Sequence, residues 1–154
     1  NIQKKNVRPF QGLKVAAHYG CHILRPHDVV HFDNPVNPNK FEKLIEVTGA
    51  SSVDWPLRLQ CCGDSMHGKN DVLAQEMGKK KMRSASEAGA DLICVGCTHC
   101  QMQFDRIGVQ MKMQGETGKI LPSILYPQLL GLSLGMDVAA LGIDENNPGL
   151  RNLF

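Results

Sequence analysis

Six cysteines are the residues of this chain whose type and spacing indicate chemistry. Five of them lie in predicted turns, as a single thiol, an adjacent pair and a Cys-x2-Cys pair: Cys21, Cys61, Cys62, Cys97 and Cys100. Six cysteines in 154 residues are too few for a small secreted disulfide scaffold. In an intracellular chain, clustered cysteines more often bind a metal or carry out redox chemistry.

The adjacent pair argues against a simple disulfide. Cys61 and Cys62 would close a strained small ring, and their side chains diverge in extended backbone. A turn that ends at Gly63 could instead aim both thiols at one centre. A structural zinc ion or an ordinary cubane iron–sulfur cluster takes four protein ligands. Five candidate thiolates therefore leave one spare, or they indicate an unusual centre with a bridging thiolate.

The predicted secondary structure brings these cysteines to one place. Short strands are predicted over residues 14–19, 52–55, 91–96 and 120–125, and helices over 38–48, 69–88, 100–111 and 127–134. This alternation predicts an α/β fold with a mostly parallel sheet flanked by helices. Cys21 and Cys97 each follow a predicted strand. Because sites gather where parallel strands end, we expect a cysteine cluster at one edge of the sheet.

Two of the predicted helices carry further signals. Asn37-Pro38 is typical of a helix start, with asparagine as the cap and proline in the first turn. The helix over 69–88 should bury a moderate apolar stripe, which consists of Leu73, Met77, Ala85 and Ala88. Lys79-Lys80-Lys81 is the only basic run, and we interpret it as the solvent-facing side of the same helix rather than as a binding patch.

The sixth cysteine and the nearby histidines are interpreted separately. Cys94 lies in a strand, three residues from Cys97, so the two should face opposite sides, and Cys94 is interpreted as a small buried hydrophobe. Four histidines near the cysteines are interpreted as polar surface or hydrogen-bonded residues rather than ligands: His18, His22, His67 and His99. His99, inside the Cys-x2-Cys loop, is the candidate catalytic residue, because it could hydrogen-bond a cluster sulfur or move a proton.

The whole pattern resembles a known family. Cys21-x39-Cys61-Cys62-Gly63-x33-Cys97-x2-Cys100 is similar to the CCG motif of the heterodisulfide reductase B subunit. Related domains occur in succinate dehydrogenase-like, glycolate oxidase-like and lactate-utilisation iron–sulfur subunits. The resemblance covers nearly the whole chain, so residues 1–154 are expected to form a single cysteine-rich CCG domain. The family's B subunit has two such motifs, and this chain resembles its C-terminal half; Thr98 departs from the proline found in many relatives.

The resemblance implies a cofactor, an activity and partners. The five motif cysteines would ligate a noncubane [4Fe–4S] cluster in which a cysteine sulfur bridges irons. The function would be disulfide reduction and electron transfer, as part of an oxidoreductase that acts on sulfur groups. Expected partners are the N-terminal CCG half of the B subunit, proteins similar to the enzyme's iron–sulfur C subunit or to its flavin A subunit, and a disulfide or thiol substrate. With one motif only, the isolated chain should be inactive.

Two other interpretations of the cysteines stay open from the residues alone. The first is a zinc-binding structural or interaction domain, and air-purified protein could carry zinc or no metal. The second is a dithiol oxidoreductase that uses Cys97-x2-Cys100. A net charge of +2 does not argue for nucleic acid. No stretch approaches the roughly 20 apolar residues of a membrane span and no secretory signal is seen, so a cytoplasmic location is expected.

Overall fold

One parallel sheet organises the chain. The computed structural model describes residues 5–145 and 150–154. The sheet has the strand order β2-β1-β3-β4, from β1 (Lys14–His18), β2 (Ser51–Val53), β3 (Leu92–Val95) and β4 (Ser123–Leu125). The helices are α1 (His27–Val30), α2 (Lys40–Val47), α3 (Asp71–Glu87), α4 (Thr98–Met113) and α5 (Tyr126–Ser133). The predicted α/β fold is confirmed. None of the helices in these residues is long and apolar enough to cross a membrane.

The strand order places β1 next to β3. The chain leaves β1, adds β2 on one side through α2, and then crosses to add β3 on the other side. The order therefore reverses between β1 and β3, and the carboxyl ends of two strands around such a point border a crevice in open α/β sheets. His18, the last residue of β1, pairs with Val95, the last residue of β3. Both strands thus end at the same level.

Each face of the sheet is covered by its own helical layer. Phe41 of α2 and Leu129 of α5 belong to one core cluster, and Phe104 of α4 belongs to the other. β3 is buried along its whole length, as expected for a central parallel strand. Cys94 faces the α2 and α5 layer, whereas its neighbour Ile93 faces the α3 and α4 layer. Burial raises the pKa of the Cys94 thiol, and its interpretation as a small buried hydrophobe is confirmed.

Helix α2 begins later than predicted. Its first residue is Lys40, and the Asn37-Pro38 start is wrong by two residues. The cap comes from outside the helix, because the carboxylate of Asp33 accepts hydrogen bonds from the backbone N–H groups of Asn39 (2.8 Å) and Lys40 (2.6 Å). A carboxylate at this position satisfies the free donors and favours the positive end of the helix dipole.

Helix α3 buries only part of the predicted stripe, since Ala85 is fully buried and Ala88 packs against the core. Leu73 is 43% exposed, whereas Lys81 is 1% exposed and Lys79 is 7% exposed. Gly78 explains the change, since a Cβ there would lie 2.6 Å from Ile107 Cγ1, so α3 and α4 pack closely through bare backbone. The interpretation of the lysine run as a solvent-facing surface is therefore wrong for two of its three members, and only Lys80 is exposed.

The isolation of Cys94 from the other cysteines can be tested by a serine substitution. Cys94→Ser places a hydroxyl without a partner in a fully buried position, so the free energy of unfolding should fall by about 1–3 kcal/mol. Cys61→Ser makes the same chemical change at a half-buried position, and its effect should be smaller. Urea denaturation of both metal-free variants measures the difference. Equal losses would contradict the burial described for Cys94.

Candidate metal centre

Five cysteines line one cavity beyond the ends of β1 and β3. The cavity has a volume of about 220 Å³ and is lined by Cys21, His22, Cys61, Cys62, Asp64, Ser65, Cys97, His99 and Cys100. The structure therefore brings together all five cysteines predicted to form the site, and it leaves Cys94 outside. Cys62 and Cys100 are buried, the other three are half-buried, and all are free thiols. The cavity thus has a buried floor and a more open mouth.

A glycine lets the turn after β1 approach the Cys-x2-Cys segment. Gly20 has a φ of +76°, which a side chain would disfavour. A Cβ at Gly20 would lie 3.2 Å from the Cβ of Cys97 and 3.5 Å from the Sγ of Cys100. The bare backbone therefore lets Cys21 approach the cysteines that follow β3.

The Cys-x2-Cys pair lies at the start of α4. Cys97 is the residue before the helix and has extended backbone, and Cys100 lies in the first turn. Free N–H groups and the helix dipole favour negative charge at this end. The backbone at this helix end favours negative charge, and it opposes the neighbouring Cys62 and the burial that raise the pKa of Cys100 in the metal-free chain.

The turn at Cys61-Cys62-Gly63 is held by both helices of its layer. Gly63 has a φ of +95°, and a Cβ there would lie 2.7 Å from the backbone oxygen of Ala74 in α3. From α4, the side-chain amide of Gln103 donates to the backbone oxygens of Cys62 (3.4 Å) and Ala74 (3.0 Å). The Gly63 N–H lies 3.4 Å from Cys61 Sγ, to which it donates. These contacts fix where the adjacent thiols lie.

The thiols are too close to ionise independently. The Sγ atoms of Cys62 and Cys100 lie 3.4 Å apart. Their hydrogen bond lowers the pKa of Cys62 and raises the pKa of Cys100, so the pair holds one proton more readily than none. Burial, reinforced by the charge of Cys61, raises the pKa of Cys21 to about 11. A multivalent cation would offset this repulsion, and its binding would release the protons.

His18 is part of the site floor. Its ligand nitrogen and the Sγ atoms of Cys62 and Cys100 all lie within 4.8 Å of one another. Both ring nitrogens are buried, and neither has a hydrogen-bond partner of normal geometry among the described residues. Burial lowers the pKa of His18, so the ring is neutral. His18 is therefore not a surface residue, since only 1% of it is exposed, whereas a weak hydrogen bond to Cys62 still contributes to its electrostatics. Strand alternation contained the signal, because His18 shares a face with Ala16 and stands just before Gly20-Cys21.

The other histidines near the site fit their interpretation better. His99 is 71% exposed at the mouth of the cavity, and its Nδ1 lies 3.2 Å from an oxygen of Asp64. Arg106 of α4 lies 3.8 Å from the other oxygen of that carboxylate. His67 pairs with Asp71 at 3.0 Å, and His22 is exposed at the cavity. The mouth therefore carries charged and hydrogen-bonding groups, while the floor carries thiols and one neutral imidazole.

This cysteine arrangement on a parallel sheet defines a family. The model of the cysteine-rich CCG domain matches residues 15–105, and the chain belongs to that family. The chain is 37% identical over 136 residues to the Ferredoxin:CoB-CoM heterodisulfide reductase B subunit of Methanosarcina mazei, covering 87% of this chain and 45% of that protein. The resemblance found in the sequence is confirmed.

Two further relatives extend the comparison. The chain is 32% identical over 145 residues to the 8-methylmenaquinol:fumarate reductase membrane anchor subunit of Wolinella succinogenes, covering 94% of this chain and 51% of that protein. The chain thus spans about half the length of the curated relatives it matches. A hypothetical protein from Helicobacter pylori matches in its crystal structure with a TM-score of 0.69 at 12% identity, over 92% of this chain and 25% of the other. That likeness shows the fold alone.

Two glycine substitutions test how the CCG turn is built. Gly63→Ala and Gly68→Ala both place a side chain at a positive φ, which costs about 1–2 kcal/mol. Only Gly63→Ala also brings the Cβ against backbone, since nothing lies within 4 Å at Gly68. Gly63→Ala should therefore destabilise the metal-free protein by about 1–3 kcal/mol more than Gly68→Ala. Urea denaturation compares them, and matching midpoints would refute the close packing of the turn on α3.

Proposed function

We propose that this chain is the iron–sulfur cluster-binding domain of a protein of the heterodisulfide reductase B-subunit type. Five thiols around one cavity carry the proposal. In this proposal a noncubane [4Fe–4S] cluster is held by Cys21, Cys61, Cys62, Cys97 and Cys100. Membership of the CCG family supports the assignment, and so does the relative that is named as part of a heterodisulfide reductase.

The type of ligand and the volume of the cavity both suit a cluster of several metal ions. Thiolates are soft ligands that suit iron–sulfur clusters. A zinc ion takes four ligands and needs little space beyond them, whereas this cavity of about 220 Å³ is several times the roughly 30 Å³ that a water molecule occupies in the liquid. Five thiols also exceed the zinc requirement by one. The neutral ring of His18 has one N–H, and in a site within 4.8 Å of the Cys62 and Cys100 sulfurs that N–H would donate to a cluster sulfide or a ligand sulfur.

The residues of the chain divide between holding the cluster and meeting the substrate. When bound, the cluster would supply electrons for the reduction of a sulfur compound. The floor residues Cys62, Cys100 and His18 exclude water and fix the position of the group. At the mouth, Asp64 orients the ring of His99, which is placed to pass a proton to a substrate thiolate. A disulfide or thiol substrate would approach from that side.

The complete enzyme would need more than this chain. The chain corresponds to 45% of the length of the relative from Methanosarcina mazei. We therefore propose that it works in the cytoplasm with the N-terminal CCG half of the B subunit, and beyond it with proteins similar to the iron–sulfur C subunit or to the flavin A subunit. Cleavage of a disulfide takes two electrons, so the isolated domain with a single cluster should not turn over disulfides at a useful rate.

Iron and sulfide analysis tests the proposed cofactor. Protein reconstituted without oxygen should contain about four irons and about four acid-labile sulfides per chain, as a [4Fe–4S] cluster requires. Elemental analysis and sulfide determination on the folded, desalted protein give both numbers. A folded sample that retains zinc and no sulfide would overturn the proposal and leave a zinc domain in its place.

Serine variants of the adjacent pair test the type of cluster. If all five thiolates are ligands, Cys61→Ser and Cys62→Ser should each abolish or change the electron paramagnetic resonance signal, because a hydroxyl is a poor soft-metal ligand. Cys94→Ser, outside the cavity, is the matched control and should keep the wild-type signal. An ordinary cubane needs four ligands. A wild-type signal from either Cys61→Ser or Cys62→Ser would therefore contradict the five-thiolate centre.

A further inference from the structure

A lysine side chain is buried on the site side of the sheet. Lys81 of α3 is 1% exposed. Its ammonium donates a hydrogen bond to the backbone oxygen of Leu57 and lies 4.6 Å from the centroid of the Trp55 ring. Within residues 5–145 and 150–154, no carboxylate forms an ion pair with it. A cation is thus held in the interior without an acidic partner from the described chain.

The Trp55 ring that contacts Lys81 is hydrogen-bonded to the backbone next to His18, on the floor of the site. The indole N–H of Trp55 donates to the backbone oxygen of Ala17 at 3.0 Å, and Ala17 immediately precedes His18. Trp55 and Cys62 belong to the same core cluster. The ammonium is therefore seated in the α3 and α4 layer, on the face of the sheet whose core cluster includes Cys62 and Cys100.

Removing the Lys81 ammonium from water without an acidic partner costs free energy, which other interactions must offset. One carbonyl and the face of an indole ring supply part of this compensation. Burial lowers the pKa of Lys81 to about 8, and the charges of Cys62, Cys100, Cys61 and Cys21 act in the opposite direction. The cysteine site lies on the same side of the sheet, because Trp55, which Lys81 contacts, shares a core cluster with Cys62 and Cys100. A negatively charged metal centre held there would supply the remaining compensation.

We propose that Lys81 is the built-in counter-charge of the metal centre and sets its reduction potential. This inference rests on the proposed cluster. An iron–sulfur centre with five thiolate ligands becomes more negative when it is reduced. A fixed positive charge nearby stabilises the reduced state more than the oxidised state, because the attraction grows with the charge of the centre. Net charge and burial are among the factors that set such potentials.

The neighbouring residues of α3 offer matched variants. Lys81→Met removes the charge and keeps an aliphatic stem of similar length. Lys81→Gln also removes the charge but keeps a donor for the backbone oxygen of Leu57. Lys79→Met is the control, since Lys79 is likewise buried on α3 but its ammonium contacts Gln114 (2.6 Å) and Glu116 (3.0 Å).

A redox titration of the reconstituted proteins is the main test. At a fixed potential, Lys81→Met and Lys81→Gln should lower the ratio of reduced to oxidised cluster about tenfold or more, which corresponds to about 59 mV for one electron. Lys79→Met should keep the wild-type midpoint. A wild-type midpoint in both Lys81 variants, or an equal shift in Lys79→Met, would overturn the inference.

Zinc binding separates this inference from the proposed cofactor. If the wild-type chain takes up no iron and sulfide, the cofactor proposal has failed, and zinc competition on the metal-free proteins decides the role of Lys81. Zinc affinity should then fall about tenfold or more in both Lys81 variants and stay unchanged in Lys79→Met. Unchanged affinity in all three would overturn the counter-charge. If both neutral Lys81 variants fail to fold while Lys81→Arg folds, the role is structural and the inference falls.

Discussion

The parallel pairing of β1 with β3 is the constraint on which the rest of the site depends. His18 opposite Val95 sets both strand ends at one level, so the turn that carries Cys21 and the helix start that carries Cys100 meet although they lie far apart in the chain. The register also decides which side chains reach the site. A slip of one residue would turn His18 away from Cys62, because successive strand residues face opposite layers. Such a slip is prevented because helices cover both faces of the sheet.

The sequence predicts the α/β class and the group of cysteines because both depend on local signals. The apolar run of β3 is a feature of consecutive residues, and so is the position of Cys94 within it. The location of the cysteine group, at the edge where the parallel strands end, then follows from the general topology of such sheets. Helix bounds were less accurate where the cap is distant in the chain, as with Asp33 and α2.

The buried polar residues were harder to predict, because their environment comes from other elements. Lys81 lies in a basic run typical of a surface, and only the indole of Trp55 and the close packing at Gly78 show why its stem is enclosed. His18 looks like a polar strand end until Cys62 and Cys100 are placed beside it. In both cases the residue type favours solvent, and the tertiary contact overrides that preference. The chemistry of the site thus lies partly in side chains whose sequence context suggests surface.

The separation of Cys94 from the other five cysteines divides the thiols of the molecule into two populations. Five border a cavity, whereas the sixth is enclosed between the sheet and the α2 and α5 layer with its ionisation suppressed. A small alkylating reagent can reach the half-buried members of the first population, Cys21, Cys61 and Cys97, in the folded, metal-free chain. The second becomes reactive only when that layer separates from the sheet. The rate at which Cys94 is labelled therefore measures how often this part of the core opens to solvent. It does not depend on the state of the metal centre.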